Sequence, residues 1–469
     1  MSRTIAAIST PAAPAGLGVL RVSGDDAVAV AARVFRPARA GKRLEDAAGY
    51  TAQYGYVFDA DGDIDDAVAL VFRAPHSYTG EDVVELSCHG GLYLLQRTLR
   101  ALLAAPNVGN SVRMPAGEKG AVAAGPGEFP RRAFLSGKMD LTAAESVMDS
   151  IAASGRLAAR AALSAREGHL AARMDSVRQQ LAGMAAQFAA FVDYPDDDIP
   201  DLEPSAMRAV LCQARQEVEA LLSTFDAGRV LREGVDTAIV GRPNVGKSTL
   251  MNQLAGWERS IVTAIPGTTR DVVEETVRLG DVTLRLSDTA GLRQSDDTVE
   301  TIGVERARSR LQTAALVLAV LDGSSPLSAE DRALLETLHD TPAIAIINKA
   351  DLTLALSPDE VRALCPYTVV LSAREGRGLD ELTAAVRELT GVAGLDEAQP
   401  ILTTERQRDS LRRCRDCLDE ALAAVDSGLA QDAAAVSVDG AIEALLELTG
   451  ERVTETVVDE VFARFCVGK

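Results

Sequence analysis

The stretch GRPNVGKST at residues 241–249 decides how the middle of this chain is expected to fold. It has the spacing Gly-x-x-x-x-Gly-Lys-Ser, with Gly241, Gly246, Lys247 and Ser248 at the fixed positions. The strand-like residues TAIV precede it and the helical pattern TLMNQLAG follows it. In that context backbone N–H groups cradle phosphates, the lysine reaches the β and γ oxygens, and the serine hydroxyl holds Mg²⁺. The stretch therefore predicts a phosphate-binding loop.

Three further motifs follow at intervals that fit a guanine-nucleotide site: GTTRD (267–271), DTAGL (288–292) and NKAD (348–351). The Thr269 hydroxyl can be a second Mg²⁺ ligand from a loop that orders with the γ-phosphate, and Asp288 can hold a metal-bound water. Asp351 can accept from the ring N–H and the exocyclic amine of guanine, a pair that adenine lacks. SAREG at 372–376 resembles the loop that completes guanine recognition. The nucleotide is therefore predicted to be GTP, with Lys247 as a catalytic residue.

These motifs do not supply a residue that positions the attacking water. Ras-like proteins place a glutamine directly after the DTAG glycine, whereas Leu292 stands there in this chain and cannot orient water. Asn244 is a neutral oxygen donor beside the phosphates, suited to holding a monovalent cation where other systems use an arginine finger. The alternative is that Asn244 serves the turn geometry of a glycine-rich loop. Both interpretations stay open at this point.

Length, charge and apolar content limit what the rest of the chain can be. With 469 residues it exceeds what one core usually organises, so two or three domains are expected. The longest apolar run, AALVLAVL, is far shorter than the ~20 residues of a membrane span, and the N-terminus lacks the features of a secretory signal. Six cysteines are too few for a disulfide framework. Because no secretory signal or membrane span is seen, we expect a cytoplasmic protein. The formal charge of −20 repels phosphate backbones, so we do not expect this chain to bind nucleic acid alone.

The pattern of secondary structure changes several times along the chain. Residues 4–103 alternate helical stretches with the strand-like stretches TIAAIST, GVLRVSG, YTAQYGYVF, AVALVFRA and DVVELSCHG, and a Gly/Pro/Ala-rich spacer follows at 105–127. Helical spacing begins near residue 140, is broken at 193–204, resumes to about residue 230, and returns again after about 390. The predicted fold class is a multidomain α/β protein, in which a Ras-like P-loop G domain is inserted into a helical bundle. The predicted domains are 1–135, 136–232, 233–390 and 391–469.

Further stretches match a known family over nearly the whole chain. They are LRVSG (20–24), TGEDVVELSCHGG (79–91), GEFPRRAFLSGKMDLTAAE (127–145), DYPDDDI (193–199), the four nucleotide motifs and the terminal FCVGK (465–469). Together they resemble the tRNA-modification GTPase family MnmE, also called TrmE. The ending combined with an internal G domain is specific to that family. The resemblance implies an N-terminal α/β domain that binds tetrahydrofolate and dimerises, a helical domain built from both sides of the insertion, and the G domain.

The resemblance also implies how GTP is hydrolysed. Family members hydrolyse GTP when the two G domains of a homodimer meet across bound K⁺. The matching K⁺ ligands are Asn244, Thr263, Ile265 and Thr268, and the Mg²⁺ ligands are Ser248 and Thr269. Glu300 stands where the family has its water-orienting glutamate, so we expect it to be catalytic, although a solvated helix carboxylate is the alternative. The residues expected to contact GTP are Asn244, Val245, Gly246, Lys247, Ser248, Thr249, Thr263, Ala264, Ile265, Pro266, Gly267, Thr268, Thr269, Asp288, Thr289, Ala290, Gly291, Asn348, Lys349, Ala350, Asp351, Ser372, Ala373 and Arg374.

The family acts with a flavin-dependent partner called MnmG or GidA, which implies a heterotetramer. Together they add an aminomethyl or carboxymethylaminomethyl group to the wobble uridine of certain tRNAs, with a one-carbon unit from formyl- or methylene-tetrahydrofolate. The matching folate contacts are Arg21, Glu85, Lys138 and Lys469. A carboxylate can pair with the amino-pyrimidine edge of a pterin, and arginine or lysine can neutralise the glutamate tail. His89 can line this pocket, but we expect it to serve loop geometry; the partner can supply the tRNA-binding surface that this acidic chain lacks.

Two other functions are compatible with parts of the sequence. A ribosome-assembly GTPase uses the same nucleotide motifs, but no basic RNA-binding module is visible in the helical tail. A membrane-anchored switch would rest on the Cys-x-x-x ending at 466–469, where Gly468 occupies a position that favours an aliphatic residue. We therefore expect no membrane partner. The tail is expected to complete the folate site, with Cys466 as an unproven participant.

Overall fold

The computed structural model describes residues 3–104, 121–193, 203–257, 275–286, 314–427 and 431–468. The chain divides into two compact units, one made of residues 1–148 with 449–469 and the other of residues 149–448. The two ends of the chain therefore belong to the same unit. The domain boundaries given above stay predictions.

The first unit is built around a mostly antiparallel sheet. Its elements are β1 Ile5–Ile8, β2 Ala15–Ser23, α1 Ala27–Ala32, β3 Phe35–Pro37, β4 Thr51–Asp59, β5 Gly62–Phe72, β6 Val83–Gly90, α2 Leu92–Leu103 and β7 Val122–Ala123. The strand order is β3-β4-β5-β6-β2-β1-β7, and the pair β1–β7 is parallel. The five strand-like stretches predicted from the sequence are present, whereas β3 was not predicted and β7 lies in the segment predicted as a spacer.

Side chains alternate between the two faces of this sheet. One face is covered; the other, termed the open face, is exposed along β4 and β5 but is covered at β1, where Ile5 and Ala7 pack with Phe129. Leu20 of β2 and Leu86 of β6 are fully buried on the covered face, where they share a core with Leu95 of α2. Arg21 and Glu85, next to them in sequence, are only partly buried. The sequence alternation therefore places two of the predicted folate contacts on the open face.

Helices follow the sheet, and the helical spacing from about residue 140 predicts all of them except the first, at residues 128–135. They are α3 Glu128–Leu135, α4 Leu141–Ala152, α5 Arg156–Arg166, α6 His169–Asp193, α7 Pro204–Leu222 and α8 Phe225–Glu233. The proline at the start of α7 replaces a backbone N–H that would have no partner inside the helix. Among the helices of the described residues, none has the length and apolar content needed to cross a membrane.

The chain then enters a second, mostly parallel sheet with helices. Its elements are β8 Val235–Val240, α9 Lys247–Trp257, β9 Glu275–Leu279, β10 Val282–Leu286, β11 Leu316–Asp322, α10 Ala329–Thr337, β12 Ala343–Asn348, α11 Pro358–Arg362, β13 Thr368–Val370 and α12 Leu379–Leu389. The strand order is β13-β12-β11-β8-β10-β9, with an antiparallel hairpin at β9–β10. Ligands of such sheets bind outside the carboxyl ends of the parallel strands. This arrangement confirms the predicted P-loop fold.

Two more helices complete the bundle. They are α13 Glu405–Asp426 and α14 Gln431–Thr449. Thr404 and Gln407 form a capping box that starts α13. Apolar residues of α13, such as Leu411 and Leu418, pack with Leu211 of α7, and all three are fully buried. The segments before and after the second sheet therefore share one core.

The last helix, α15 Glu455–Ala463, and the tail pack within the first unit. Phe462 of α15 is 1% exposed in a core with residues of α4. Beyond the helix, Val467 forms an antiparallel bridge with Pro126. Gly468 has φ +93°, and a Cβ at that position would lie 2.0 Å from the Ile8 carbonyl oxygen, so only glycine fits. Gly468 is therefore a packed part of the unit that carries the open sheet face, whereas Cys466 and Val467 are exposed.

Candidate functional site

The phosphate-binding loop joins β8 to α9, as predicted, and is fixed by close backbone approach. Gly246 has φ +100°, and a Cβ there would lie 2.3 Å from the side-chain nitrogen of Asn348. Neither the backbone angle nor the space admits a side chain. Asn244, two residues earlier, has φ +65° and is exposed. The conformation of the loop is therefore fixed by its backbone angles and by the close approach of Asn348.

Lys247 begins α9 and folds back over this loop. Its Nζ donates to the carbonyl oxygens of Gly241 and Arg242, both at 2.7 Å. Burial lowers the pKa of the Lys247 ammonium. The cation is thus held at the loop, where it can exchange carbonyl partners for phosphate oxygens.

Asn348 ends β12 and connects three of the predicted motifs. It is 3% exposed, and its Nδ2 donates to the Val245 carbonyl oxygen while its Oδ1 accepts from the Ala373 N–H, both at 2.9 Å. The NKAD asparagine therefore fixes the loop of GRPNVGKST relative to the loop of SAREG. A side chain with one donor and one acceptor at this place is needed to satisfy both backbone groups.

The predicted guanine reader is positioned by the same loop. The Ser372 hydroxyl donates to Asp351 Oδ1 at 2.7 Å, and this hydrogen bond lowers the pKa of the Asp351 carboxyl. The Ala350 N–H donates to the Leu371 carbonyl oxygen, and Arg374 is exposed beside this turn. Asp351 is thus kept ionised as an acceptor, which is the state that pairs with the two donors of guanine.

Two ion pairs around the loop were not predicted. Arg242 forms a two-pronged pair with Asp331 at 2.8 and 2.9 Å, and Asp331 is 2% exposed at the start of α10. Lys349 donates to Asp322 at the end of β11, at 2.6 Å. The sequence held one local signal, since SAED at 328–331 is a capping box that predicts the helix start at Ser328. The pairing of Asp331 with Arg242 joins two segments that are distant in the sequence.

Of the predicted nucleotide contacts, those from Asn244 to Thr249, from Asn348 to Asp351 and from Ser372 to Arg374 lie on the loops that follow β8, β12 and β13. Ser248 and Thr249 are exposed in the first turn of α9. The remaining predicted site residues lie outside the described residues: Thr263, Ala264, Ile265, Pro266, Gly267, Thr268, Thr269, Asp288, Thr289, Ala290, Gly291, Glu300 and Lys469.

On the open face of the first sheet, Arg21 and Glu85 stand directly opposite each other on β2 and β6. The guanidinium Nε and Nη2 lie 2.9 and 2.8 Å from Glu85 Oε1, and the two side chains are 21% and 23% exposed. The Arg21 guanidinium also lies 5.3 Å from the ring centre of Tyr78 and 5.6 Å from that of Phe129. The structure thus brings a cation, a carboxylate and two aromatic rings together at a partly open place.

Lys138 follows α3 and is exposed. A Cβ on Gly80 would lie 3.4 Å from Lys138 Cε, so the lysine stem passes beside the loop before β6. In that loop Glu81 accepts from Ser23 at 2.7 Å and pairs with Arg132 at 3.0 Å. The TGED motif therefore holds a network of charges and hydroxyls that sequence reasoning did not assign.

The expectation that His89 serves loop geometry was wrong. His89 lies on β6, is exposed, and its Nδ1 is 2.9 Å from Asp65 Oδ1 and 3.8 Å from Asp66 Oδ1. The hydrogen bond to Asp65 raises the pKa of His89. Its role in the structure is a hydrogen bond that joins β6 to β5.

Comparison with known proteins covers the chain almost end to end. Residues 4–138 match the family described as the GTP-binding protein TrmE N-terminus, and residues 141–466 match the MnmE helical domain. The tRNA modification GTPase MnmE of Heliobacterium modesticaldum is 43% identical over 477 residues, covering 99% of each chain. Those of Symbiobacterium thermophilum and Geobacillus kaustophilus are 44% and 40% identical, again over 99% of each chain.

The geometry and the comparisons agree. The segments that follow β8, β12 and β13 place a phosphate loop, its lysine and the carboxylate predicted to read guanine at one edge of the second sheet. This arrangement is that of a GTP hydrolase. The chain belongs to the MnmE family of tRNA modification GTPases.

Proposed function

We propose that this GTPase is activated by K⁺ and by dimerisation, and that with a flavin-dependent partner it adds an aminomethyl or carboxymethylaminomethyl group to the wobble uridine of tRNA. The observation that carries the first part is Asn244. It is exposed in the phosphate loop with a left-handed backbone, directly before Val245, whose carbonyl oxygen accepts from buried Asn348. A neutral amide oxygen at that place suits K⁺, which proteins bind through neutral oxygens.

The other members of the proposed cation site come from the family resemblance. Thr263, Ile265 and Thr268 would complete the K⁺ site, and Glu300 would orient the water that Leu292 cannot. A cation between two phosphate loops would neutralise charge in the transition state, as an arginine finger does in other GTPases. Hydrolysis would then depend on the meeting of two copies.

The homodimer is supported by the open face of the first sheet. Tyr54 and Val68, cross-strand partners on β4 and β5, are 53% and 40% exposed, and nearby Tyr50 is 68% exposed. Tyr56 of β4 is also exposed, and its ring centre lies 6.0 Å from that of Tyr54. Large exposed apolar patches of this kind mark interaction surfaces.

Tetrahydrofolate, as its formyl or methylene derivative, is proposed to bind beside this patch. Glu85 would pair with the amino-pyrimidine edge of the pterin, and Arg21 with Lys138 would neutralise the glutamate tail. Tyr78, which is partly exposed, lies against Arg21 and offers a ring face for stacking, while Phe129 is fully buried behind the guanidinium. Lys469, outside the described residues, completes the set by resemblance.

The flavin-dependent partner, MnmG or GidA in the family, is proposed to carry most of the tRNA contact. The formal charge of −20 makes this chain a poor polyanion binder by itself. A basic partner surface would supply the attraction, while this chain supplies the nucleotide cycle and the one-carbon donor site.

The K⁺ claim is tested by the turnover of GTP in KCl and in NaCl at equal ionic strength. We expect kcat to be at least ~10-fold higher in KCl, by analogy with the charge stabilisation of an arginine finger. Equal rates in the two salts would refute the claim. Asn244→Gly separates the two interpretations of this residue, because glycine keeps the left-handed backbone and removes the amide oxygen.

The Asn244→Gly chain should bind GTP and lose most of its K⁺ stimulation. Full stimulation in this variant would leave only turn geometry as the role of Asn244. Glu300→Ala supplies an independent check, since it should bind GTP but hydrolyse it at least ~100-fold more slowly. A variant as fast as the parent would remove Glu300 from the mechanism.

A further inference from the structure

The loop between α4 and α5 contacts the β9–β10 hairpin through specific hydrogen bonds. The hydroxyl oxygens of Ser154 and Thr283 are 2.6 Å apart, and Arg278 Nη1 donates to the Ser154 carbonyl oxygen at 2.8 Å. The Leu157 N–H donates to Asp281 Oδ1 at 3.2 Å. Both strands of the hairpin therefore bond to Ser154 of this loop, and the turn between the strands bonds to Leu157 in the first turn of α5.

The two segments also touch backbone to backbone. A Cβ on Gly155 would lie 3.2 Å from Cα of Asp281, so there is little room between the loop and the hairpin turn. Leu157 is 4% exposed and belongs to the same core as Val277 and Leu284 of the hairpin. Packed contacts of this kind transmit displacement, because well-packed interiors are poorly compressible.

The hairpin lies between two of the nucleotide motifs in the sequence. Residues 275–286 run between GTTRD at 267–271 and DTAGL at 288–292. These motifs supply the groups that respond to the γ-phosphate and its Mg²⁺ in GTPases. Only Ser287 separates the end of β10 from Asp288. A change at either motif therefore acts on the ends of the hairpin.

The end of α4 is tied as well to both chain connections of the second sheet. Asp149 Oδ1 lies 2.8 Å from Arg232 Nε on α8, which leads into β8. Its Oδ2 accepts from the Thr403 hydroxyl at 2.8 Å, just before α13. The Asp149 side chain is 9% exposed, so breaking this network would leave a buried charge without its partner.

We propose that residues 149–157, named here the α4–α5 joint, read the position of the β9–β10 hairpin and pass the nucleotide state to the helical bundle. Ser154 and Gly155 are positioning residues that hold the hairpin, and Asp149 anchors the joint to both connections. A ligand shifts a conformational equilibrium only through contacts that differ between states. The hydrogen bond between Ser154 and Thr283 is the contact that would differ between the GTP and GDP states.

The test is hydrogen exchange of the full-length protein, read by mass spectrometry with saturating GDP and with a saturating non-hydrolysable GTP analogue. In the parent chain, amides of the α4–α5 joint should exchange at rates that differ at least ~3-fold between the two nucleotides. Ser154→Ala with Thr283→Val should abolish most of this difference. The difference at residues 241–249 should remain, because the phosphate loop keeps all its contacts.

Arg285→Gln is the matched control, because it breaks an ion pair between β10 and Asp236 of β8 without touching the joint. In this variant, the exchange rates of the joint amides should differ between the two nucleotides as they do in the parent. Ser154→Ala alone, which removes one hydroxyl, repeats the comparison if the double variant folds poorly, and should reduce the response. The proposal would be overturned if the joint amides of the parent exchanged at the same rate with both nucleotides. It would also be overturned if Ser154→Ala kept the full difference in exchange rate.

Discussion

The nucleotide site and the charged pair on the open sheet face are built in different ways. The nucleotide site is made of backbone groups, held by Gly246 in a left-handed conformation and by Asn348, which is 3% exposed and satisfied on both sides. Arg21 and Glu85 are side chains that satisfy each other and are 21% and 23% exposed. The first site is held by backbone contacts, whereas the second would have to exchange side-chain partners to bind a ligand.

This difference matters for how each site responds to change. A preorganised site loses affinity steeply when its backbone is strained, because a backbone that is already ordered saves entropy on binding. A partly exposed ion pair contributes little to stability, on the order of 0–1 kcal/mol, so it can open for a ligand at small cost. We therefore expect substitutions that strain the loop backbone to have the larger effect at the nucleotide site, and substitutions that remove a charge to have the larger effect at the proposed folate site.

The largest effect is expected for Gly246→Ala. The new Cβ would meet Asn348 at 2.3 Å in a backbone conformation that alanine disfavours, so the loop must shift. We expect GTP to bind at least ~100-fold more weakly, which corresponds to about 2.7 kcal/mol. A fluorescent guanine nucleotide measures the Kd directly.

Gly256→Ala is the control for that experiment. Gly256 lies in α9, and nothing would stand within 4 Å of its Cβ. This variant should bind GTP like the parent. If Gly246→Ala also kept the parent Kd, the phosphate loop would be more adaptable than its contacts indicate and the contrast between the two sites would fail.

An intermediate effect is expected for Glu85→Gln. It removes the carboxylate proposed to pair with the pterin and leaves Arg21 without its partner. Calorimetry with formyl-tetrahydrofolate should show at least ~10-fold weaker binding, while the Kd for GTP stays unchanged. Asp63→Asn, which breaks the exposed Arg36–Asp63 pair of the same sheet, should leave folate binding intact. Equal folate affinity in parent and Glu85→Gln would take Glu85 out of the site.

The smallest effect is expected at His89. Because the folded chain holds the His89 proton more tightly than the unfolded chain, the contact with Asp65 adds stability below the usual histidine pKa and loses it as the pH rises through the raised value. Asp65→Asn should lower the pKa of His89 in an NMR titration, and His89→Gln identifies the resonance. An unchanged titration in Asp65→Asn would mean that the carboxylate does not hold the proton.

Much of this architecture could be predicted, because it depends on local patterns. Alternation of apolar and polar residues predicted β2 and β6, and the Gly-x-x-x-x-Gly-Lys-Ser spacing predicted the loop between β8 and α9. By contrast, β7 has only two residues and exists through its pairing with β1. A strand that short carries no pattern of its own.

The interactions missed by sequence reasoning are all long-range. The pairing of Arg242 with Asp331 spans 89 residues, and that of Arg21 with Glu85 spans 64. Residue type and spacing do not reveal which partner a charge will find, since the partner is set by strand register and helix packing. The contact of Ser154 with Thr283 belongs to the same class, at a separation of 129 residues.

The most direct test of the account is the wobble-uridine nucleoside profile of tRNA from cells that lack this protein. We expect the aminomethyl and carboxymethylaminomethyl derivatives to disappear, to return with the parent chain, and to return poorly with Gly246→Ala or Glu85→Gln. The first variant would fail through GTP and the second through folate, with GTP turnover intact. An unchanged nucleoside profile in the deletion cells would contradict the account and favour a ribosome-assembly role.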